Sequence, residues 1–326
     1  MSTAATLVHG LSQVPLVRRF SNWIAGVPHP HLAIEFDSDK ISAVRWTKAG
    51  TFVDSACELL PGGVLIPSAV DTNCKETLAV AKSLAAVVKR LNAHDEDVTL
   101  LLPDTVIRVS LQQFEHFPRS TREAMPMLRW KLRKSLPFDA EQTVLSFMQQ
   151  SHPGNGAPVV VAVASQNVVR EYETLLESVG LRCGVVLSSS LAAVALLQGK
   201  QAALLARASH NTLTTAIVQS GKLLFYRCTE LPRDVRDLSP QELLHEIFPV
   251  AVYYQDTWRD TINHVRLAGL GDRLKEFGAC LEKELGCPVK SLLSTALADG
   301  HLPMSAKILV DHDMDAMAGW MLNEDL

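Results

Sequence analysis

HLAIEFDSDKISAVRW, residues 31–46, is the stretch on which the reading of the chain turns. Leu32, Ile34 and Phe36 recur at period two, Asp37, Ser38, Asp39 and Lys40 make a polar turn, and a second apolar run returns from Ile41, so the segment predicts a hairpin. A third strand over 51–58 follows the Ala49-Gly50 turn. The same meander returns downstream as a strand over 202–207, a turn over 208–211, a strand over 212–219, the Ser220-Gly221 turn and a strand over 222–228. Glu35 lies 171 residues before Ala206, and Gly50 lies 171 before Gly221, as a duplicated unit requires.

Each meander is followed by the same parts. Residues 61–72 are a Gly/Pro-rich connection, and 73–92 carry a helical stripe of Leu78, Ala81, Leu84, Ala85, Val88 and Leu91, with Lys75, Lys82 and Lys89 elsewhere. Residues 98–102 then read as a buried, parallel strand. In the second copy, Ser239 as cap and Pro240 at the first helical position start a helix towards Arg259, followed by a strand over 264–268. Pro249 predicts a kink or break in that helix. The fold class is therefore α/β: duplicated units of three antiparallel strands, a crossover helix and a strand beside the first, similar to the ribonuclease-H-like unit of the actin and sugar-kinase superfamily.

Between the copies lies a small α+β subdomain. A strand over 106–112 precedes an amphipathic helix over 119–136, with Met125, Leu128, Leu132 and Leu136 inward, ending at Pro137-Phe138; strands over 143–149 and 158–164 flank a turn over 151–158. Helices over 166–179 and 188–198 follow. The expected organisation is an N-terminal arm (1–30), a first half (31–103), the inserted subdomain (104–165), a connection completing the first half (166–200) and a second half (201–326).

Composition narrows the function. With 326 residues, 47% hydrophobic and 20% charged, and a mean hydropathy of +0.11, the chain buries a sizeable core and carries two domains by length. A net charge of -4 gives no electrostatic reason to expect nucleic acid. The six cysteines lack CxxC spacing and are read as reduced core thiols of a cytoplasmic protein. No apolar run is long enough to span a bilayer, and no leader pattern opens the chain. Residues 11–24 set Leu16, Val17, Phe20, Trp23 and Ile24 beside Arg18 and Arg19, with Pro15 breaking the run early; a loose arm or short packed helix is expected over membrane contact. Hydrolase, zinc-protease, Walker and dinucleotide fingerprints are absent from the sequence.

LPDTVIRVSLQQFEHFPRSTREAMPMLRWKLRKSLPFDAEQTVLSFM, residues 102–148, resembles the small subdomain of the PilM family, actin-like cytoplasmic proteins of type IV pilus assembly. VAVASQNVVREYETLLESVGLRCGVVLSSSLAAVALL, residues 161–197, is similar to the segment that follows it; Glu246, Tyr253 and Tyr254 resemble the crossover helix, and MAGWML, 317–322, the closing helix. The resemblance covers residues 30–322. It implies a scaffold at the inner membrane that docks the cytosolic N-terminal tail of a PilN-like single-pass membrane protein, seated between the first half and the inserted subdomain. It also implies ATP with magnesium between the halves.

The residues matching that family's phosphate-facing positions are altered. Glu35, Asp37, Ser38 and Asp39 stand in the first turn, where the superfamily has an Asp followed by Gly and small hydroxyls. Asp37 in place of the glycine adds a charge near the phosphate position; two like charges about 4 Å apart at an effective dielectric near 20 repel by about 4 kcal/mol. In the second turn Ala206 and Ala208 replace Asp and Gly, leaving Ser209, Asn211 and Thr212, while Gly269 and Gly271 fit the later glycines, a tight turn being the commoner meaning of a lone GxG. Weak or absent ATP binding is expected, the alternative being an active ATPase or kinase with Glu35 organising the metal. If the two turns face one another, Arg207 or His210 is placed to pair with Asp37 or Asp39, substituting an ion pair for the nucleotide; the other reading is ordinary scatter of surface charge. Asp311, His312, Asp313 and Asp315 are read as helix-start acids, so no metal is expected. Arg122, Arg129 and Arg133 share a helical face whose ordinary reading is a solvated one; with Lys131 they are the candidates for meeting acidic lipid or an acidic partner tail, and since PilM relatives tend to carry acid in this helix, Lys131 is a departure.

Overall fold

The computed structural model describes residues 30–47, 50–151 and 156–322. The expected arm, save residue 30, lies outside the described residues, as do Ala49 and residues 152–155 of the 151–158 turn.

The first meander is β1 (Leu32–Phe36), β2 (Lys40–Trp46) and β3 (Phe52–Leu59), paired antiparallel. Helix α1 (Thr77–Arg90) crosses over to β4 (Asp97–Leu102), parallel to β1. The inserted unit is β5 (Arg108–Phe114), α2 (Thr121–Leu132), β6 (Thr143–Gln149) and β7 (Ala157–Ser165), its sheet ordered β5-β7-β6. Helix α3 (Gln166–Ser178) then returns the chain to β8 (Arg182–Ser188), and the first sheet reads β3-β2-β1-β4-β8. A short helix α4 (Ser189–Ala193) leads to β9 (Ala203–Ser209), β10 (Thr212–Gln219) and β11 (Lys222–Glu230), then α5 (Pro240–Trp258), β12 (His264–Ala268), α6 (Leu274–Leu285) and β13 (Val289–Ser291). This second sheet is ordered β11-β10-β9-β12-β13, repeating the first. Helices α7 (Leu292–Ala298), α8 (Lys307–Asp311) and α9 (Asp315–Met321) close the described chain.

Strand alternation divides the cores. In β1, Leu32, Ile34 and Phe36 pack towards α1, while Ala33 faces a core shared by both halves. In β9, Leu204, Ala206 and Ala208 pack towards α5, and Ala203 and Leu205 face the shared core. That shared core also holds Trp46, Leu191 and Trp320, so the two sheets bury one another's inner faces. Helix α9 crosses α4 at Gly319, where an added Cβ would lie 2.1 Å from the Ala192 carbonyl oxygen. Only a residue without a side chain lets the helices meet so closely.

The hydrogen-bond register corrects the alignment of the two copies. Glu35 pairs with Ser42 in the first hairpin and Arg207 with Thr214 in the second, so Arg207, 172 residues from Glu35, is its counterpart. The 171-residue offset holds only at the second turn, because one residue fewer separates Thr214 from Gly221 than Ser42 from Gly50.

Helix details differ as well. Leu78 is 88% exposed, and α1 instead buries Val80, Leu84, Val87 and Val88. Helix α5 runs unbroken through Pro249: one missing backbone bond does not outweigh burial of Leu243, Ile247, Val250 and Tyr254, and the Ser239-Glu242 capping box secures its start. Helix α2 ends at Leu132 rather than 136, and the segment expected as one helix over 188–198 is α4 followed by a single 3-10 turn.

Candidate functional site

The strand alternation that hides Ala206 turns Glu35 and Arg207 towards each other. The Arg207 guanidinium donates through Nη2 to Glu35 Oε1 at 2.8 Å and through Nε to Asp315 Oδ2 at 2.6 Å. All three side chains are buried, with 8%, 7% and 3% of their surface exposed. Burial opposes the Arg207 charge, but Asp315 and then Glu35 outweigh it and hold the guanidinium protonated. Burial also pushes the Glu35 carboxyl up, further than Arg207 draws it down. The triad joins β1 of one half to β9 of the other and to the start of α9.

Around the triad the two turns are locked together. Ser209 Oγ donates to both Asp37 oxygens, at 2.9 and 2.8 Å, and the Ser38 amide donates to Asp37 Oδ1 at 2.8 Å. His210, at φ 50° in a two-residue turn, places Nε2 3.1 Å from Asp39 Oδ1 and 4.0 Å from Asp37 Oδ1; its Nδ1 lies 3.3 Å from Asp234 Oδ2. The Asp39 hydrogen bond raises the His210 pKa against the effect of burial, and reciprocally lowers that of Asp39. His210 thus meets Asp37 and Asp39 as expected, whereas Arg207 turns to Glu35 and Asp315.

A third buried acid, Asp104, also ties the halves together. Asp104 accepts from the hydroxyls of Ser188 and Ser190 in the first half, from the Ser190 amide at 3.0 Å, and from Thr214 Oγ1 at 2.7 Å and Tyr226 OH at 3.1 Å in the second. Burial and then Asp104 push the Tyr226 phenol well above its usual range. Sequence reading missed Asp104, Asp234 and the role of Asp315. An acid after the Pro that ends an apolar strand marks Asp104, and an acid before a run of small residues marks Asp315; nothing local marks Asp234.

Asp37, Ser38, Ser209, Asn211 and Thr212 do come together, lining a cleft of ≈ 660 Å³ with the 62–71 connection. Glu35, Gly269 and Gly271 are not among its lining residues. Gly269, at φ 72°, is required elsewhere: an added Cβ would lie 1.8 Å from the Ala208 carbonyl, so the turn after β12 packs straight onto β9. The cleft carries Asp37, Asp39, Asp71 and Glu230 against Arg108 and His210. A triphosphate brings further negative charge into that acid-rich lining, Arg207 is already held by two carboxylates and Arg236 by Asp234, so these residues do not fit magnesium-ATP.

The basic residues of α2 do not act as one face. Lys131 Nζ donates to the Gln113 carbonyl at 2.6 Å and lies 3.9 Å over the Phe114 ring, and Arg129 is half-buried against Thr143. Arg122 and Arg133 are exposed. The acids at 311–315 do not cap α9 either: Met314 is its N-cap, and Asp315 spends its carboxylate on Arg207.

An apolar crevice separates the inserted sheet from the first half, lined by Val144, Phe147, Val160, Ala162, Val186 and Leu187 among others. Strand β6 is an edge of one sheet and β8 an edge of another, and both contribute to it. Among the described residues no helix is long and apolar enough to cross a membrane.

Neither a family model nor a curated protein matches the chain. A solved PilM-PilN type IV pilus biogenesis complex aligns at a TM-score of 0.75 with 16% identity, covering 91% of this chain and 99% of that one. The cytoplasmic domain of EpsL, an inner-membrane component of the Vibrio cholerae type II secretion system, aligns at 0.45 with 14% identity over 72% of this chain and 80% of its own. A Bacteroides thetaiotaomicron protein of actin-like ATPase fold and unknown function aligns at 0.48 with 12% identity over 88% and 97%. Duplicated sheets, the inserted three-stranded unit and this first alignment together give the chain a PilM-like, actin-like ATPase fold.

Proposed function

We propose that the protein is a scaffold of a type IV pilus or related secretion platform, working on the cytoplasmic face of the inner membrane by holding the cytosolic N-terminal tail of a PilN-like single-pass partner. The observation carrying this reading is the pair of edge strands, β6 and β8, flanking an apolar crevice between the inserted sheet and the first half. An extended tail adds to a free strand edge through backbone bonds and seats alternate side chains in apolar pockets. Arg122 and Arg133 are open to acidic residues flanking such a tail, while Arg129 and Lys131 are engaged within the inserted unit. In this reading the halves are fixed by Arg207, Glu35 and Asp315, and nucleotide binding is weak or absent. The alternative, an ATPase or kinase using Glu35 to organise magnesium, needs a Glu35 that is not already bonded to Arg207.

The test is co-expression with a candidate PilN-like single-helix membrane protein. The tail is expected to co-purify across salt conditions and to be lost on Val144→Asp, which places a charge in the crevice. No association at any salt concentration contradicts the reading.

A further inference from the structure

The two turns carry a constellation that the ion-pair reading does not use up. Asp37 and Asp39 come from the β1–β2 turn and His210 from the β9–β10 turn, and one ligand atom from each lies within 4.8 Å of the other two. Metal bonds of about 2.0–2.2 Å to nitrogen and oxygen hold the ligand atoms of one shell no more than about 4.4 Å apart, and His210 Nε2 lies 3.1 Å from Asp39 Oδ1 and 4.0 Å from Asp37 Oδ1. The third carboxylate, Asp234, lies on the far ring nitrogen, 3.3 Å from Nδ1. A carboxylate there fixes the tautomer and aims Nε2 outward, as acids do behind metal-bound histidines. Asp234 is itself held by Arg236 at 2.7 and 2.9 Å. Ser209 and Ser38 fix the Asp37 carboxylate in the same way. All three ligands line the cleft, whose open side leaves room for water or a further donor.

We propose that Asp37, Asp39 and His210 bind one first-row divalent cation, zinc or manganese, which staples the two halves at the mouth of the cleft. One imidazole nitrogen with two carboxylates suits these ions better than magnesium, which prefers oxygen alone. The site needs neither a nucleotide nor a membrane partner, so its success or failure is independent of the scaffold reading. The same geometry also serves a protonated His210 paired with its acids, and a proton and a metal compete for Nε2; Arg236, 3.5 Å from Nδ1, is the remaining charge facing the ring.

The experiment is titration of the full, chelator-treated chain with zinc chloride, manganese chloride and magnesium chloride, followed by calorimetry and thermal melting. Zinc or manganese is expected to bind at one equivalent with micromolar affinity and to raise the melting temperature, with magnesium far weaker. His210→Asn, which keeps a residue tolerant of the left-handed turn, and Asp39→Asn are each expected to weaken binding at least tenfold without loss of fold by circular dichroism. Asp234→Asn is expected to weaken it about 10–100-fold as a positioning effect. No binding of either ion up to millimolar concentration, or binding unchanged in both His210→Asn and Asp39→Asn, overturns the proposal; the second result assigns the ion to the thiols or another site.

Discussion

Arg207 carries the largest single electrostatic commitment in the seam between the halves. Removing it leaves Glu35 and Asp315 buried without their cation, and breaking such a pair costs about 3–5 kcal/mol. Arg207→Ala is therefore expected to lower the unfolding free energy measured by urea melts by that amount, whereas Glu35→Ala costs less, because Arg207 keeps Asp315; equal losses would show that the triad does not work as described. His264 makes a separate prediction, from burial first and Arg266 second, both of which lower its pKa. The unfolded chain then takes the proton more readily, so this contribution is intact above the ordinary pKa near 6.5 and is lost as pH falls through it. His264→Asn is expected to flatten the pH dependence of stability between about pH 7 and 5. At this scale Asp37 was legible as a turn residue, whereas Glu35 and Ser209 belong to strands β1 and β9. The role of Arg207 was only half legible, because a one-residue error in register moves a strand position to the opposite face and put Ala206 where Arg207 belongs.

At the scale of elements, the strands were legible and the helix details less so. Period-two alternation and glycine turns fix strands locally, whereas which stripe of α1 faces inward depends on the sheet it meets; Leu78, adjacent in sequence to the buried face, points to solvent. Pro249 and Pro126 are both carried inside helices because packing of the apolar face outweighs one lost bond. The α4–α9 crossing depends on a residue rather than a pattern. Gly319→Ala is expected to destabilise by about 1–3 kcal/mol or more, since its Cβ meets a backbone oxygen that cannot rotate away. Because α9 carries Asp315, the same change is expected to weaken the Arg207 triad, so Gly319→Ala and Asp315→Asn together should cost less than their separate sum. Additive costs in urea melts would separate the crossing from the triad.

Across the whole molecule, the two sheets are joined by one shared apolar core, the Arg207 triad, the Asp37–Ser209 and His210 contacts and the Asp104 network. The duplicated architecture was legible because element order and turn spacing survive even where site chemistry changes. The Asp104 network and the Asp234–His210 contact were not, since those partners lie far along the chain. In the proposed scaffold, buried ion pairs occupy the role a bound nucleotide would have between these halves. Calorimetry of the full chain with magnesium-ATP tests it most directly. No measurable binding up to millimolar nucleotide is expected, and micromolar binding abolished by Glu35→Ala would contradict it.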